Sequence, residues 1–273
     1  MHALYNRLPS KPLRVPIPAI FFICCVTVCF GQGTQASPDA NPARPTVSTP
    51  ATLTPLGYLQ FENGTLEAVD SPEFDNRLGI NQVTKLTVLP RLELFVQTEP
   101  MVRSRNVTDR ELQPGEVFAG LQGVVLPGSS SRPTVAVSYI RRLYASPAPE
   151  LDLGTFRQSG LLLVSFDLKG FHFDAYAVFT EQIEEPVHRL QYGQTLSISH
   201  PVKKLIISGE IWHFSQPFLR SNALGNLWAI SYPIHRNLVV DAGFDHGFTN
   251  TSTRWEGFAG FTYLLPHRLW KPH

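Results

Sequence analysis

The sequence predicts an all-β protein, an up-and-down antiparallel transmembrane β-barrel of about twelve strands. Three observations support this: segments of about ten residues with alternating apolar and polar side chains, connections that alternate in length, and no convincing helical period after residue 56. The clearest segment is 170–180. Its odd positions are Phe171, Phe173, Ala175, Ala177 and Phe179, and its even positions are His172, Asp174, Tyr176, Val178 and Thr180. Because side chains along a strand alternate between faces, one face is wholly apolar, as a lipid-facing wall requires.

The first 36 residues have the pattern of a secretory signal peptide. Arg7, Lys11 and Arg14 precede an apolar run over 15–30, and small and polar residues follow it. A single membrane anchor is the alternative, but the apolar run is short for a span and contains two prolines. Residues 1–36 are therefore predicted to direct export.

Residues 37–56 are rich in Pro, Thr, Ala and Ser. Prolines at this density disfavour both a helix and a central strand, so the segment is predicted to be a disordered, extended linker. Composition does not distinguish a linker outside the barrel from one that folds into its lumen.

Twelve strand segments are predicted between residues 57 and 265, followed by a short C-terminal tail, 266–273. The segments are 57–63, 82–88, 91–98, 115–126, 133–142, 159–167, 170–181, 190–200, 203–214, 224–233, 236–247 and 254–265. Short connections at 89–90, 127–132, 168–169, 201–202 and 234–235 alternate with loops at 64–81, 99–114, 143–158, 182–189, 215–223 and 248–253. Membrane barrels have short periplasmic turns and longer extracellular loops. A soluble all-β domain with one wet face would explain the side-chain alternation but not this asymmetry.

The charged residues of the later strands share one face, which we assign to the lumen. A charge on the lipid face at mid-bilayer costs about 2–4 kcal/mol. The candidate pore-lining residues are Lys85, Arg91, Glu93, Arg142, Asp174, Tyr176, Glu210, Trp212, Asp241, Asp245, Arg254 and Glu256. Their charges are of both signs, which fits either an open pore with a transverse field or a lumen closed by ion pairs. Aromatic residues near segment ends suit interfacial girdles: Tyr139, Phe179, Tyr192, Trp228, Tyr232, Trp255 and Tyr263.

The composition and motifs give little support to an enzyme. The three cysteines, Cys24, Cys25 and Cys29, precede the predicted barrel, and the formal net charge of +1 does not favour nucleic acid. No nucleophile elbow, zinc-binding histidine motif or phosphate-binding glycine loop occurs, so we predict no catalytic residue, cofactor or metal. A Ser–His pair across neighbouring strands, such as Ser208 with His172, keeps a membrane-embedded lipid hydrolase open as a weaker alternative.

Short motifs along residues 56–265 resemble those of a known family. They are LGYLQFENG at 56–64, RLGI at 77–80, LEL at 92–94, GEV at 115–117, GLQ at 120–122, DAG at 241–243 and FAGFTY at 258–263. The family is the bacterial outer-membrane β-barrel "transporter" family named after the meta-pathway of phenol degradation (MetA-like). The chain departs from it at Gln122, where such barrels often carry a lysine, and in its tail, since such barrels usually end on an aromatic residue. The resemblance implies an outer-membrane barrel that passes small, often hydrophobic compounds.

From these observations we expect a passive channel for small, possibly aromatic solutes in the bacterial outer membrane. The expected partners are outer-membrane lipid, the solutes and, during biogenesis, the barrel-insertion machinery. The alternative is a closed barrel with a structural or surface-binding role.

Overall fold

The computed structural model describes residues 38–105, 110–149, 151, 156–184, 186–219 and 221–270. The predicted signal peptide, 1–36, lies outside the described residues. No helix in the described part of the chain has the length and apolarity of a membrane span.

The described residues form thirteen strands in one antiparallel sheet. They are β1 (Leu59–Val69), β2 (Asn76–Leu89), β3 (Leu92–Arg105), β4 (Arg110–Gln113), β5 (Val117–Leu126), β6 (Thr134–Tyr144), β7 (Phe156–Leu168), β8 (Phe171–Glu184), β9 (Val187–Val202), β10 (Leu205–Phe214), β11 (Ala223–His235), β12 (Leu238–Gly247) and β13 (Trp255–Leu264). β1 pairs with β13 along ten residues and thereby closes the sheet on itself. β4 pairs with β3 alone, beyond the end of β5, so the closed barrel has twelve strands. The predicted up-and-down barrel is confirmed.

The connections follow the predicted alternation in length only in part. The long loops are shorter than expected, and only two residues separate β8 from β9, where the loop 182–189 was predicted. The predicted short connection between β5 and β6 has seven residues. At one end of the barrel, tight turns join β2 to β3, β7 to β8, β9 to β10 and β11 to β12. In the β7–β8 turn Lys169 and Gly170 have φ of 52° and 84°, the positive values that a type I′ hairpin requires. At the other end β1, β2 and β3 continue into the predicted loops 64–81 and 99–114. Ladder hydrogen bonds do not require an apolar face, so strands continue past the point where the apolar alternation ends.

The outer wall is apolar and exposed. Leu162, Ile207 and Ile230 are 46%, 43% and 49% exposed, and many other large apolar side chains face the same way. Tyr139, Phe179 and Tyr192 face outward at one level, with the outward-facing Gly160 between the first two in the strand register. An exposed apolar face this extensive requires an apolar environment, which the hydrocarbon core of a lipid bilayer provides. The outward-facing aromatic residues fit the girdle at the bilayer interface.

The Pro-rich segment departs from the sequence prediction. Instead of a disordered linker, residues 38–56 form an irregular loop inside the barrel, where Ser48 and Ala51 are fully buried. The prolines exclude a strand there, but side chains of the wall accept the backbone N–H groups that a sheet would otherwise satisfy. We call residues 38–56 the plug.

The C-terminal tail folds back on the start of β1. Leu269 donates its backbone N–H to the carbonyl of Gly57 at 2.8 Å, and the guanidinium of Arg268 lies 5.4 Å from the ring centre of Tyr58. The described part of the tail, 266–270, therefore packs against the residues that join the plug to β1.

Candidate functional site: a plugged lumen

The plug enters and leaves the lumen at the short-turn end. Ala40 donates its N–H to the carbonyl of Arg236, in the β11–β12 turn, at 2.7 Å. The chain rises to an apex at 47–48 and descends to Gly57, whose N–H bonds the carbonyl of Thr87 at 2.9 Å. The Asn41 side chain donates to the carbonyl of Thr52 at 3.0 Å and holds the two legs together. The plug is thus a loop inserted from below, with both ends at the same rim.

Glu210 on β10 holds the apex. Its two carboxylate oxygens accept the backbone N–H of Val47 at 2.7 Å and of Ser48 at 2.8 Å. The Ser48 hydroxyl donates to the same carboxylate at 2.7 Å and lies 2.5 Å from the Thr195 hydroxyl on β9. One buried carboxylate therefore satisfies three donors of the plug, and such charge-assisted hydrogen bonds are the strong ones.

Two further carboxylates hold the ascending leg. Glu62 on β1 accepts the backbone N–H of Ala43 and of Arg44 at 3.2 and 3.3 Å, and forms a 2.6 Å ion pair with Lys85. The Arg44 guanidinium bonds both oxygens of Asp241 on β12, Nη2 to Oδ1 at 3.0 Å and Nε to Oδ2 at 3.3 Å. This bidentate pair restricts movement of the ascending leg both across the lumen and along the barrel axis.

The descending leg is held in the same manner. Thr54 donates its backbone N–H and its hydroxyl to Glu93 on β3 at 2.8 and 2.5 Å. Ala51 donates its N–H to the Ser165 hydroxyl, and Gln122 donates to the Pro50 carbonyl at 3.0 Å. Gln122, which stands where similar barrels often carry a lysine, is therefore a plug contact. Apolar packing contributes chiefly through Ala51 and Val47, so the plug is attached to the wall mainly by polar contacts.

Two facing glycines make room for the Arg44 guanidinium. Gly64 on β1 and Gly260 on β13 are direct partners in the strand register and face inward beneath it. A Cβ at Gly64 would lie 2.5 Å from Arg44 Cζ, and one at Gly260 would also meet the Asn63 carbonyl oxygen at 2.4 Å. A side chain at either position would therefore displace Arg44 from Asp241.

The Gly64→Ala variant is expected to loosen the plug without harming the barrel. Losing the Arg44–Asp241 pair removes a charge-assisted interaction of about 1.5–3 kcal/mol, roughly a tenfold or greater shift toward the detached plug. Limited proteolysis of the plug in the folded barrel measures this. Gly257→Ala is the matched control, since a Cβ there meets nothing within 4 Å. If Gly64→Ala acts through Arg44, adding Arg44→Ala will produce little further change, and additive effects would contradict the assignment.

The plug leaves a cavity on each side of it. The inner vestibule, at the short-turn end, has a volume of about 1090 Å³ and is lined by polar groups that include Arg44, His172 and Asp174. The outer cup, at the long-loop end above Val47, has a volume of about 220 Å³. A crevice of about 50 Å³ remains beside the plug between β2 and β7. The lumen is thus divided rather than filled.

Glu116 lies at the rim of the outer cup, just before β5. Burial raises the pKa of its carboxyl above the usual value, while the Arg142 guanidinium, 3.1 Å away, acts in the opposite direction. Arg77 forms a similar pair with Glu99 at 2.7 Å.

Most of the predicted pore-lining residues face inward. Those that are buried or line a cavity are Lys85, Glu93, Arg142, Asp174, Tyr176, Glu210, Trp212, Asp241, Asp245 and Glu256. The prediction was wrong for Arg91, which is exposed in the β2–β3 turn, and for Arg254, which is exposed just before β13. Neither lies within a strand, so the alternation of faces does not apply to them.

The structure adds inward-facing charges that sequence reasoning missed. They are Arg44, Glu62, Arg77, Glu99 and Glu116. Glu62 lies next to Phe61 in a predicted strand, so the alternation of faces could have identified it as inward-facing. Arg77 and Glu99 fell in predicted loops, and Arg44 in the predicted linker, where side-chain direction has no periodic signal.

The suggested pairing of Ser208 with His172 is not formed. Both residues line the inner vestibule, but His172 directs Nδ1 to Asp167 at 2.8 Å and Nε2 to Asp174 at 3.2 Å. Both ring nitrogens are thus engaged by carboxylates, which leaves neither to accept a serine proton.

A closed twelve-stranded antiparallel barrel with an apolar outer wall and a charged, plugged lumen has the architecture of outer-membrane β-barrels. No family model and no curated protein matches the sequence. Among solved structures, an outer membrane channel from Pseudomonas putida F1 aligns with a TM-score of 0.55 and 10% identity over 77% of this chain and 96% of that one. The NanC porin aligns with a TM-score of 0.52 and 9% identity over 75% of this chain and 98% of that one. At these identities the likeness is one of fold.

Proposed function

We propose that this protein is a passive channel of the bacterial outer membrane, closed in the described conformation by its own N-terminal plug. The observation that carries the proposal is the mode of attachment of the plug. Four carboxylates on four strands, Glu62, Glu93, Glu210 and Asp241, hold it through hydrogen bonds and one ion pair. Water can replace such contacts, whereas a segment that only fills a structural core is expected to pack through apolar side chains.

The two cavities support transit along the barrel axis. The inner vestibule and the outer cup lie on opposite sides of the plug and inside the same wall. Displacing the plug joins them. The fold shared with an outer membrane channel and a porin supports a channel. The resemblance to the MetA-like family favours small solutes, including aromatic ones, as the cargo.

Among the described residues, inward-facing carboxylates outnumber inward-facing basic groups. The carboxylates are Glu62, Glu93, Glu99, Glu116, Asp174, Glu210, Asp241, Asp245 and Glu256, and the basic groups are Arg44, Arg77, Lys85, Arg142 and His172. Because a low-dielectric wall focuses their field, the open pore is expected to favour cations.

Single-channel recording of the refolded protein in planar bilayers tests the proposal. We expect discrete conductance steps with cation selectivity, and a lower cation-to-anion permeability ratio, by roughly twofold or more, in the Asp245→Asn/Glu256→Gln variant. Glu67→Gln is the control, since Glu67 is exposed on the outer surface near the long-loop rim. Heat-modifiable gel mobility establishes that each variant is folded.

A folded barrel that stays electrically silent would contradict the channel. The plug across the middle of the lumen would then favour the alternative, a closed barrel with a structural or surface-binding role. A chain that remains soluble without detergent would contradict the membrane location as well.

A further inference from the structure

We infer that the short-turn rim of the barrel is a binding surface for the anionic headgroups of phospholipids, such as phosphatidylglycerol. Five connections lie at this end: β2–β3, β5–β6, β7–β8, β9–β10 and β11–β12. Each carries at least one exposed basic residue, and none carries an acidic residue. The basic residues are Arg91, Arg132, Lys169, Lys203, Lys204 and Arg236, and we call them the basic collar. Because the whole chain has 23 basic and 22 acidic residues, its composition does not explain a rim of one sign.

Most of the collar has no neutralising partner within the protein. Arg236 forms a 2.7 Å ion pair with Asp39, whereas the other five collar residues have no ion-pair partner among the described residues. Asp167, also exposed at this rim, accepts a hydrogen bond from His172 Nδ1 at 2.8 Å. Asp39 and Asp167 both line the inner vestibule and thus lie on the lumen side. In the described part of the rim, the side toward the lipid therefore has basic groups without exposed carboxylates.

The collar borders the apolar outer wall. Lys169 lies between Leu168 and Phe171, which are both exposed on the outer face, and at 202–205 two lysines separate two further exposed apolar residues. This arrangement places the ammonium groups where the hydrocarbon of a bilayer ends and the headgroups begin. Basic residues at that level attract anionic headgroups. A soluble acidic protein would meet the charges but would make no use of the apolar border.

The densest part of the collar lies on two neighbouring hairpins. β8 pairs with β9, so the β7–β8 turn lies beside the β9–β10 turn. His200 donates its Nδ1–H to the Gly170 carbonyl at 2.9 Å and thereby joins the two turns. Aromatic rings lie next to them on the outer wall: Phe171 is 4.6 Å from the His200 ring, and Phe166 and Phe173 stack at 4.7 Å. Three lysines are thus combined with rings that suit the interfacial region of a phospholipid.

The backbone of these hairpins gives separate evidence for a demand for lysine. Lys169 and Lys203 have φ of 52° and 58°, in the left-handed region that Gly, Asn and Asp adopt more readily. Lysine is therefore not the residue that the turn conformation favours. Since neither side chain has an ion-pair partner among the described residues, we attribute both lysines to an external anion rather than to the stability of the turns.

Electron spin resonance of the full-length, folded barrel in phosphatidylcholine bilayers tests the inference. The probes are phosphatidylglycerol and phosphatidylcholine, spin-labelled at the same acyl carbon. We expect phosphatidylglycerol to associate with the protein more strongly, by roughly twofold or more, at low ionic strength. The preference should vanish at about 1 M salt, where charges are screened within about 3 Å. Equal association of the two probes at low ionic strength would overturn the inference and leave the collar to a soluble acidic partner.

Variants locate the preference on the two hairpins. Lys169→Gln/Lys203→Gln/Lys204→Gln is expected to lose about half or more of the excess association, whereas the corresponding triple Lys→Arg variant keeps it. The matched control removes three exposed basic groups at the long-loop end, Arg103→Gln/Arg157→Gln/Arg254→Gln, and should retain the preference. Carboxylates already accompany those arginines, Glu67 beside Arg103 and Glu181 near Arg157. An equal loss in both Gln variants would show an effect of net charge and refute the assignment.

Heat-modifiable gel mobility establishes that each variant is folded. If the triple Gln variant does not fold, Lys203→Gln/Lys204→Gln and the salt dependence of the unchanged protein decide the matter. The measurement needs no ion flow, so it is independent of the proposed channel. An electrically silent barrel that still prefers phosphatidylglycerol would contradict the channel and keep the collar.

Discussion

A disulfide between positions 48 and 195 is expected to lock the channel closed. The Ser48 and Thr195 hydroxyl oxygens lie 2.5 Å apart, across the contact between the plug apex and β9. Sulfur atoms at these positions can approach the 2.05 Å of a disulfide with little movement. With Cys24, Cys25 and Cys29 changed to Ser, the Ser48→Cys/Thr195→Cys variant carries no other thiol.

Oxidation of this variant is expected to lower its conductance, and reduction is expected to raise it. The oxidised form should show at least a tenfold lower frequency of conductance steps than the unchanged protein. Reduction with dithiothreitol should raise conductance above the unchanged level, because the Ser48 hydroxyl that donates to Glu210 is then missing. Planar-bilayer recording before and after addition of the reductant measures both effects on the same channels.

A wall-to-wall pair provides the matched control. The Ser159 and Thr180 hydroxyl oxygens lie 2.8 Å apart between β7 and β8, and neither residue belongs to the plug. Ser159→Cys/Thr180→Cys is expected to conduct equally in both redox states. If the oxidised 48–195 variant conducts as well as its reduced form, the plug does not gate the barrel.

The Glu210→Ala variant is expected to have the largest effect of any single substitution on plug occupancy. Glu210 accepts the two backbone N–H groups of Val47 and Ser48 and the Ser48 hydroxyl. Hydrogen bonds to a charged group contribute about 1.5–3 kcal/mol each, so a net loss of about 3 kcal/mol or more is expected even after water replaces part of them. This corresponds to roughly a hundredfold shift toward the detached plug.

Protease cleavage of the plug and single-channel conductance report that shift independently. Both should rise in Glu210→Ala, while Glu210→Gln, which keeps one acceptor oxygen, should lie between it and the unchanged protein. The strands themselves should keep their heat-modifiable mobility, because Glu210 faces the lumen and not a strand neighbour. A Glu210→Ala barrel with a protected plug would show that apolar contacts at Val47 and Ala51 hold the plug instead.

The sequence by itself determined the barrel. Alternation of faces is a local property with a period of two, so each strand reveals its apolar side from about ten consecutive residues. This is why the inward placement of Asp174, Glu210 and Asp241 could be predicted without knowing any partner. The same reasoning was wrong at Arg91 and Arg254, which lie in turns where no alternation operates.

The location of the plug inside the barrel was decided only by the tertiary structure. Ser48 and Glu210 are 162 residues apart, and Arg44 and Asp241 are 197 apart, so no local pattern links them. A Pro-rich segment has no hydrophobic period of its own, and its composition does not indicate whether it lies in water or inside a lumen. Closure of β1 on β13 brings Glu62 on β1 and Asp241 on β12 to the same part of the inner wall, with only β13 between their strands. Only there do carboxylates on distant strands become a single set of acceptors for a loop that has no sheet or helix to satisfy its backbone.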